Sequence, residues 1–290
     1  MIKKTVLSSF FFFVAHYSIV FLAPPNWLGY PQNIVQGNLI SAERMLFSDE
    51  SYENIIVGSS LAYNIDLGQL DETWYNLSFP GQSIFEGLEI IHEMKNKPQR
   101  IFIETNVLLR KKNTFFHSVL FNPLKYPFKK YFSILKESQQ PVSLIGDPVE
   151  YHLVRKFIPS NEEVQSISIK KEILKKKIIT ELKKEYNQVP EQAIRNQIKH
   201  LSTALAKFRN SGIEIVFFEM PIEKELCDTP QTSAIRNAIK STFPKYELLV
   251  QPDCGEYTTS DGLHLDLESA KNYTSLFYQI NQKRLEKRGS

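Results

Sequence analysis

Two cysteines in 290 residues leave little metal chemistry open. Cys227 and Cys254 cannot build a thiolate zinc site or an iron–sulfur cluster, and nothing else resembles such a ligand set. No metal and no cofactor are expected. Glycine is also scarce, eleven in all, and no loop carries the glycine-rich cradle that nucleotide phosphates need. A nucleotide or phosphate binder using the loop after the first strand is disfavoured on that ground. A strong charge of one sign is missing too. The 35 Lys and Arg against 32 Asp and Glu give a net +3, too mild to imply nucleic acid.

One absence is local. Residues 5–23 contain no Asp, Glu, Lys or Arg. As a helix rising 1.5 Å per residue, that run spans about 28 Å, close to a bilayer's hydrocarbon core. Lys3 and Lys4 precede it and would hold that end in the cytoplasm. The expectation is an uncleaved signal anchor: residues 1–25 a cytoplasmic tip and transmembrane helix, residues 26–50 a linker with a short amphipathic stretch. A cleaved signal peptide is the rival reading, but Pro24-Pro25 after Ala23 makes a poor cleavage site and the run is long for an h-region. A buried soluble helix fits least, because the run is apolar on every face. The chain is thus expected in the inner (cytoplasmic) membrane, single-pass, with residues 51–290 forming an extracytoplasmic, periplasmic domain.

Within 51–290, short apolar runs alternate with helical patterns. NIIV after Glu53, TWYNLS, RIFIET, GIEIVFFEMP and YELLVQP read as five strands. A helical stretch is expected after the first, through Leu70. Apolar groups at Ile84, Phe85, Leu88, Ile91 and Met94 have helical spacing, and further helices are expected near 191–211, 231–241 and 266–287. This alternation predicts an α/β fold with a parallel sheet covered on both faces. In such sheets the functional crevice lies beyond the carboxyl ends of the strands. The residues there are Gly58-Ser59-Ser60, Ser78 to Gly81, Thr105-Asn106, Met220-Pro221 and the stretch leading to Asp261 and His264.

Residues 110–190 interrupt the alternation as a basic, aromatic-rich helical insertion, with 16 Lys and Arg against 8 Asp and Glu. Its first half interleaves aromatics with lysines. Its second half reads as a basic helix with Ile169, Ile173, Leu174 and Leu182 along a face. A solvated helical excursion is one reading; contact with anionic lipid headgroups or a membrane partner is the other.

Asp261 and His264 lie three residues apart across a glycine-containing turn. A carboxylate beside an imidazole fixes its tautomer and stabilises the imidazolium formed when His accepts a proton. A serine hydroxyl becomes a nucleophile when such a base takes its proton. Ser60, after the first strand, can meet that pair at the carboxyl edge of the sheet. Acyl transfer also needs donors aimed at a developing oxyanion. Gly81 offers a backbone N–H at a turn and Asn106 a side-chain amide, although an Asn in that place also serves as a turn or cap residue.

In that order, Gly-x-Ser after strand one, Gly in the second loop, Asn after strand three and Asp-x-x-His near the C-terminus resemble the SGNH (GDSL-like) hydrolases. More narrowly, the sequence is similar to the membrane-anchored SGNH-like proteins of bacterial polysaccharide and teichoic-acid O-acylation. The resemblance covers about 54–106 and 212–285. It implies a three-layer α/β/α flavodoxin-like domain on a five-stranded parallel sheet, with Ser60 as nucleophile, His264 as base and Asp261 orienting it. Ser60, Gly81 and Asn106 would form the oxyanion hole. It also implies an envelope glycan as acyl acceptor and a multi-pass membrane O-acyltransferase as acyl donor. Two positions depart from the wider family's pattern: Ser59 stands at the Asp of its Gly-Asp-Ser, a Gly-Ser-Ser that the membrane-anchored group often carries, and Glu104-Thr105-Asn106-Val107 keeps only the Asn of Gly-x-Asn-Asp. In a 2-1-3-4-5 sheet, Cys227 and Cys254 would emerge at the same edge near His264, where a disulfide could brace that loop. The function expected is serine-dependent acyl transfer, acetyl foremost, or ester hydrolysis on an envelope glycan. The alternative is a non-catalytic SGNH-like subunit that binds glycan or scaffolds a membrane O-acyltransferase complex.

Overall fold

The computed structural model describes residues 2–22, 31, 33–140 and 161–289. Its contacts sort the chain into two compact units, Met1–Ser48 with Thr114–Pro159, and Asp49–Asn113 with Ser160–Ser290.

The second unit is built on five strands: β1 (Asn54–Val57), β2 (Trp74–Asn76), β3 (Arg100–Glu104), β4 (Glu214–Phe218) and β5 (Glu247–Leu248). They lie in the order β2-β1-β3-β4-β5, and every pairing is parallel. Alternate residues of each strand point to opposite faces. Ile56, Phe102, Val216 and Phe218 share one core cluster with Ala270, Tyr273 and Phe277 of the last helix (Leu267–Gly289). On the other face, Val57 packs so closely on Gly87 that a Cβ there would lie 2.7 Å from its methyl. That glycine lets the helix Ile84–Glu93 approach the sheet, and a full capping box of Ser83 and Glu86 starts the helix. The fold is therefore α/β, with helices on both faces of the sheet.

After β1 the helix is shorter than expected. It covers one turn, Ser60–Tyr63, followed by a 3-10 turn at Leu67–Gln69. Asp66 is the cause: its carboxylate accepts the Gly68 N–H, and its own N–H donates to Thr274 Oγ1 at 3.0 Å. A short polar side chain that bonds its own backbone competes with the helix.

In chain order the helices are numbered α1 (Ile2–Leu22), α2 (Ile34–Phe47), α3 (Ser60–Tyr63), α4 (Ile84–Glu93), α5 (Thr114–Leu120), α6 (Tyr126–Lys129), α7 (Asn161–Tyr186), α8 (Glu191–Ala206), α9 (Lys224–Cys227), α10 (Pro230–Thr242) and α11 (Leu267–Gly289). Helix α1 is long and apolar enough to cross a membrane.

Residues 26–50, expected as a linker, contain a packed helix. Leu39, Ile40, Ala42, Met45 and Leu46 of α2 are buried, as are Phe116, Leu120 and Ile134 in the same unit. Among them the Lys129 ammonium bonds the Glu43 carboxylate, both side chains 2% exposed. Glu43 also accepts the Glu137 N–H at 2.6 Å. Burial pushes the Glu43 carboxyl above its ordinary value, against the pull of Lys129. The insertion at 110–190 is correspondingly divided. Residues 114–140 belong with α2, α7 belongs with the sheet, and 141–160 lie outside the described residues. The face expected on α7 also shifts. Ile173 and Leu174 are exposed, Leu182 and Tyr186 pack on the sheet's core cluster, and the Ile169 side chain lies outside the described residues.

Removing one partner of a buried ion pair costs about 3–5 kcal/mol, whereas replacing both by apolar groups is often neutral. Lys129→Met is therefore expected to unfold α2 locally, seen as lost hydrogen-exchange protection across 34–47. Protection should return in the Glu43→Leu/Lys129→Met pair. Equal protection in the single variant and the native chain would refute the role given to this pair.

Candidate active site

The end of β1 turns sharply into α3 because three features cooperate there. Gly58 has no Cβ; one would lie 2.5 Å from the Ala62 Cβ and 2.6 Å from Glu104 Oε2. Ser59 caps α3, accepting the Leu61 N–H at 3.1 Å. Glu104, at the end of β3 and completely buried, reaches across to the same turn. Its carboxylate accepts the Ser59 N–H at 2.8 Å, the Ser59 hydroxyl at 3.0 Å and the Ala62 N–H at 3.3 Å. The first N–H groups of a helix have no intrahelical partner. Those of Leu61 and Ala62 are satisfied this way, and that of Ser60 has no partner among the described residues.

Ser60 is thus the first residue of a rigid turn, with its hydroxyl facing outward. Its Oγ lies 2.8 Å from His264 Nε2, and His264 Nδ1 lies 2.7 Å from Asp261 Oδ2. The three residues span 204 positions of sequence and meet at the carboxyl edge of the sheet. An ionised Asp only accepts hydrogen bonds, so Nδ1 carries the imidazole proton and Nε2 is left to accept the Ser60 hydroxyl.

The Asp–His pair sits on a tight hairpin. Thr259 bridges Leu265, and the Ser260 N–H donates to His264 O at 2.8 Å. Gly262, at φ +98°, makes the reversal, a conformation that suits glycine. Asp261 Oδ1 accepts the N–H groups of Leu263 (3.0 Å) and His264 (2.8 Å). Partial burial would raise the Asp261 carboxyl, but these N–H groups and the imidazole outweigh it and hold it below the ordinary value. Asp266 then caps α11, accepting the Ser269 N–H at 2.8 Å.

Two elements hold this hairpin in place. Glu223, after β4, donates its N–H to Gly262 O at 2.9 Å and accepts the Thr259 hydroxyl at 2.6 Å. Helix α7 adds Lys175, 3.1 Å from Glu223, and Ile179, 2.8 Å from where a Gly262 Cβ would stand. Cys227 and Cys254 are paired as a disulfide, joining the end of α9 to the turn that leads into the hairpin.

The other two residues expected at the oxyanion hole lie on neighbouring loops. Gly81, at φ +78°, turns the chain after β2, with the Gln82 N–H on Phe79 O at 3.0 Å. The Phe79 N–H on Gly58 O at 3.1 Å ties that loop to the one bearing Ser60. Asn106 is held by Met220: its Nδ2 donates to Met220 O at 2.9 Å and its Oδ1 accepts the Met220 N–H at 2.7 Å. One amide hydrogen of Asn106 remains uncommitted by that pairing. No hydrogen bond joins Gly81 or Asn106 to Ser60 among the described residues. An open groove of about 420 Å³ runs beside α3 and the start of α11, lined by Tyr63, Asp66, Leu67, Asn76, Leu267 and Lys271.

Sequence reasoning missed Glu104, Glu223 and α7 as parts of this site. The signal for Glu104 was a carboxylate ending an otherwise apolar strand. Burial pushes its carboxyl above the ordinary value, opposed by the bonds from Ser59 and Ala62. A raised value means that the fold favours the protonated acid. Glu104 therefore costs stability as pH rises from about 4.3, the unfolded value, through the folded one. Thermal unfolding between about pH 4 and pH 8 should show the native chain losing ground to Glu104→Gln as pH rises; a constant difference would contradict the raised value. Glu104→Ala strands buried donors and should cost on the order of 3 kcal/mol at any pH in that range. Compared with protein-family models, curated proteins and solved structures, the chain matches none.

Proposed function

We propose that this chain is a membrane-anchored, extracytoplasmic serine enzyme of the SGNH-like type that moves an acyl group, acetyl foremost, on a cell-envelope glycan. The observation that carries the reading is the continuous line Ser60 Oγ–His264 Nε2 and Nδ1–Asp261, at 2.8 and 2.7 Å. Further support comes from where the parts sit: a nucleophile after β1 and an Asp-x-x-His just before the last helix of a parallel 2-1-3-4-5 sheet. The stretch of α1 from residue 5 to residue 22, which carries no Asp, Glu, Lys or Arg, supports anchoring, with Lys3 and Lys4 at the start of the helix on the cytoplasmic side.

In this mechanism His264 Nε2 takes the Ser60 proton as Oγ attacks the ester carbonyl of the donor. Asp261 holds the imidazole and balances the positive charge that forms on it. The tetrahedral oxyanion is met by the Ser60 N–H, with the Gly81 N–H and the second Asn106 amide hydrogen as further donors. Each such donor is worth on the order of 3 kcal/mol. Collapse expels the donor alcohol, which receives the proton from His264, and leaves an acyl-Ser60 ester. A sugar hydroxyl then attacks under the same base, giving a transferase; attack by water gives an esterase. An envelope glycan as acceptor and a multi-pass membrane O-acyltransferase as donor are the partners that the SGNH-like resemblance implies.

A fluorophosphonate probe should label the native chain at Ser60 and leave Ser60→Ala unlabelled. His264→Ala should label far more slowly, and Asp261→Asn should lose about 10⁴-fold in turnover. Equal labelling of native and Ser60→Ala chains removes the nucleophile. Full complementation of envelope acylation by both Ser60→Ala and His264→Ala would favour the non-catalytic alternative. The acyl-enzyme, followed by intact mass, should discharge faster when glycan is added. Discharge to water alone, glycan present, would make the protein an esterase.

A further inference from the structure

The unit that contains α2 carries an unusual surface. Leu124, Phe128, Tyr131 and Phe132 are between 55% and 77% exposed, and Phe115 is 64% exposed. The first four follow i, i+4, i+7, i+8 spacing. The backbone is helical enough to put them on one side: the Lys129 N–H bonds Lys125 O, and the Tyr131 and Phe132 N–H groups both bond Phe128 O. The rings of Phe128 and Phe132 are 6.5 Å apart. Lys129 points the other way, into the buried pair with Glu43. That pair fixes which side of the segment faces outward, so the apolar exposure is built into the packing.

Among the described residues of this unit, the unpaired charge around this face has one sign. Across 34–48 and 114–140 the carboxylates are Glu43 and Glu137, and both lie within reach of Lys129. Arg44, Lys125 and Lys130 are exposed, and no ion pair joins them to a carboxylate among the described residues. Aromatic side chains interleaved with lysines suit the headgroup boundary of an anionic bilayer, where rings enter the acyl edge and ammonium groups stay with phosphate. The tether allows it. Eleven residues separate Leu22 at the end of α1 from Ile34 at the start of α2, which bounds the gap at about 40 Å.

We infer that Leu124, Phe128, Tyr131 and Phe132, with Lys125 and Lys130, form a membrane-docking face that lies in the headgroup region of the anionic lipid surface. The inference rests on the reading of α1 as a membrane anchor. It adds a second attachment point, so that the unit carrying α2 is seated on the bilayer and is not left to swing on its tether.

The test uses the full chain in nanodiscs containing about one third phosphatidylglycerol. Tyr131→Cys and, as a control on the sheet unit, Lys240→Cys are labelled with an environment-sensitive fluorophore; Cys227 and Cys254, being paired, do not react. Lipid contact should blue-shift the label at 131, make spin-labelled lipid quench it several-fold more than at 240, and shield it from iodide. Phe128→Ser/Phe132→Ser should abolish that difference. The inference is overturned if 131 is as open to iodide as 240. It is also overturned if 131 is shielded from iodide yet untouched by lipid quenchers, which would mean that a protein covers the face. Carbonate extraction separates the two readings. A chain retained by the membrane with 131 in water ends the docking face alone, and a chain stripped by carbonate that still shows lipid contact at 131 ends the anchor alone.

Discussion

A single buried carboxylate determines where the candidate nucleophile stands. Glu104 leaves the end of β3, passes over the bare backbone of Gly58 and takes three donors from the turn after β1. Without those bonds the turn would bury two N–H groups and a hydroxyl with nothing to accept them. With them the turn holds Ser60 in place, and the Ser60 N–H has no partner among the described residues. The same carboxylate explains Ser59. An Asp at 59 would face Glu104 in a dry site, and two carboxylates so placed cannot both ionise. The hydroxyl and the carboxylate are one coupled choice, made at two positions 45 residues apart.

The other half of the site is held independently. Asp261 and His264 ride on a hairpin whose turn depends on Gly262 and whose base runs into the capped start of α11. Glu223 holds it from the β4 side, α7 presses on it through Ile179, and the Cys227–Cys254 bridge limits the approach to it. The 2.8 Å contact between Ser60 and His264 is therefore the meeting of two preorganised pieces, each fixed by bonds that do not involve the other. That division would suit the proposed acyl transfer, which needs its reacting groups held to within a fraction of an ångström.

The strands were legible because a parallel strand buried on both faces is a continuous apolar run. Asp261 and His264 were legible because their relation is local, a carboxylate and a ring across one turn. Glu104 was not, since the groups it bonds lie 42 to 45 residues away in sequence. The structure gives Asn106 a backbone-clamping role at Met220 that sequence could not reveal. Helix α2 was hidden for a related reason. Its polar positions look linker-like, and the residues that bury it come some seventy positions later. Lys129 was hidden among like charges: nothing in a lysine-rich run marks the one that is buried.

That last case bears on how the basic insertion should be understood. A local excess of Lys and Arg suggested one basic arm, but the count averages two different environments. In α7, Lys175 and Lys183 lie against Glu223 and Glu225. They lie against acidic groups on the loop after β4 and on α9, and Lys175 pairs with the very carboxylate that holds the Asp–His hairpin. Such partly exposed pairs contribute little to stability on their own. In residues 124–136 the lysines flank exposed rings, and the only carboxylates of that unit's described segments are already gathered around buried Lys129. The same residue type thus balances charge inward in one segment and presents it outward in the other. Which it does follows from whether a carboxylate packs within about 4 Å of it, a distance where Coulomb attraction exceeds thermal energy even near the surface.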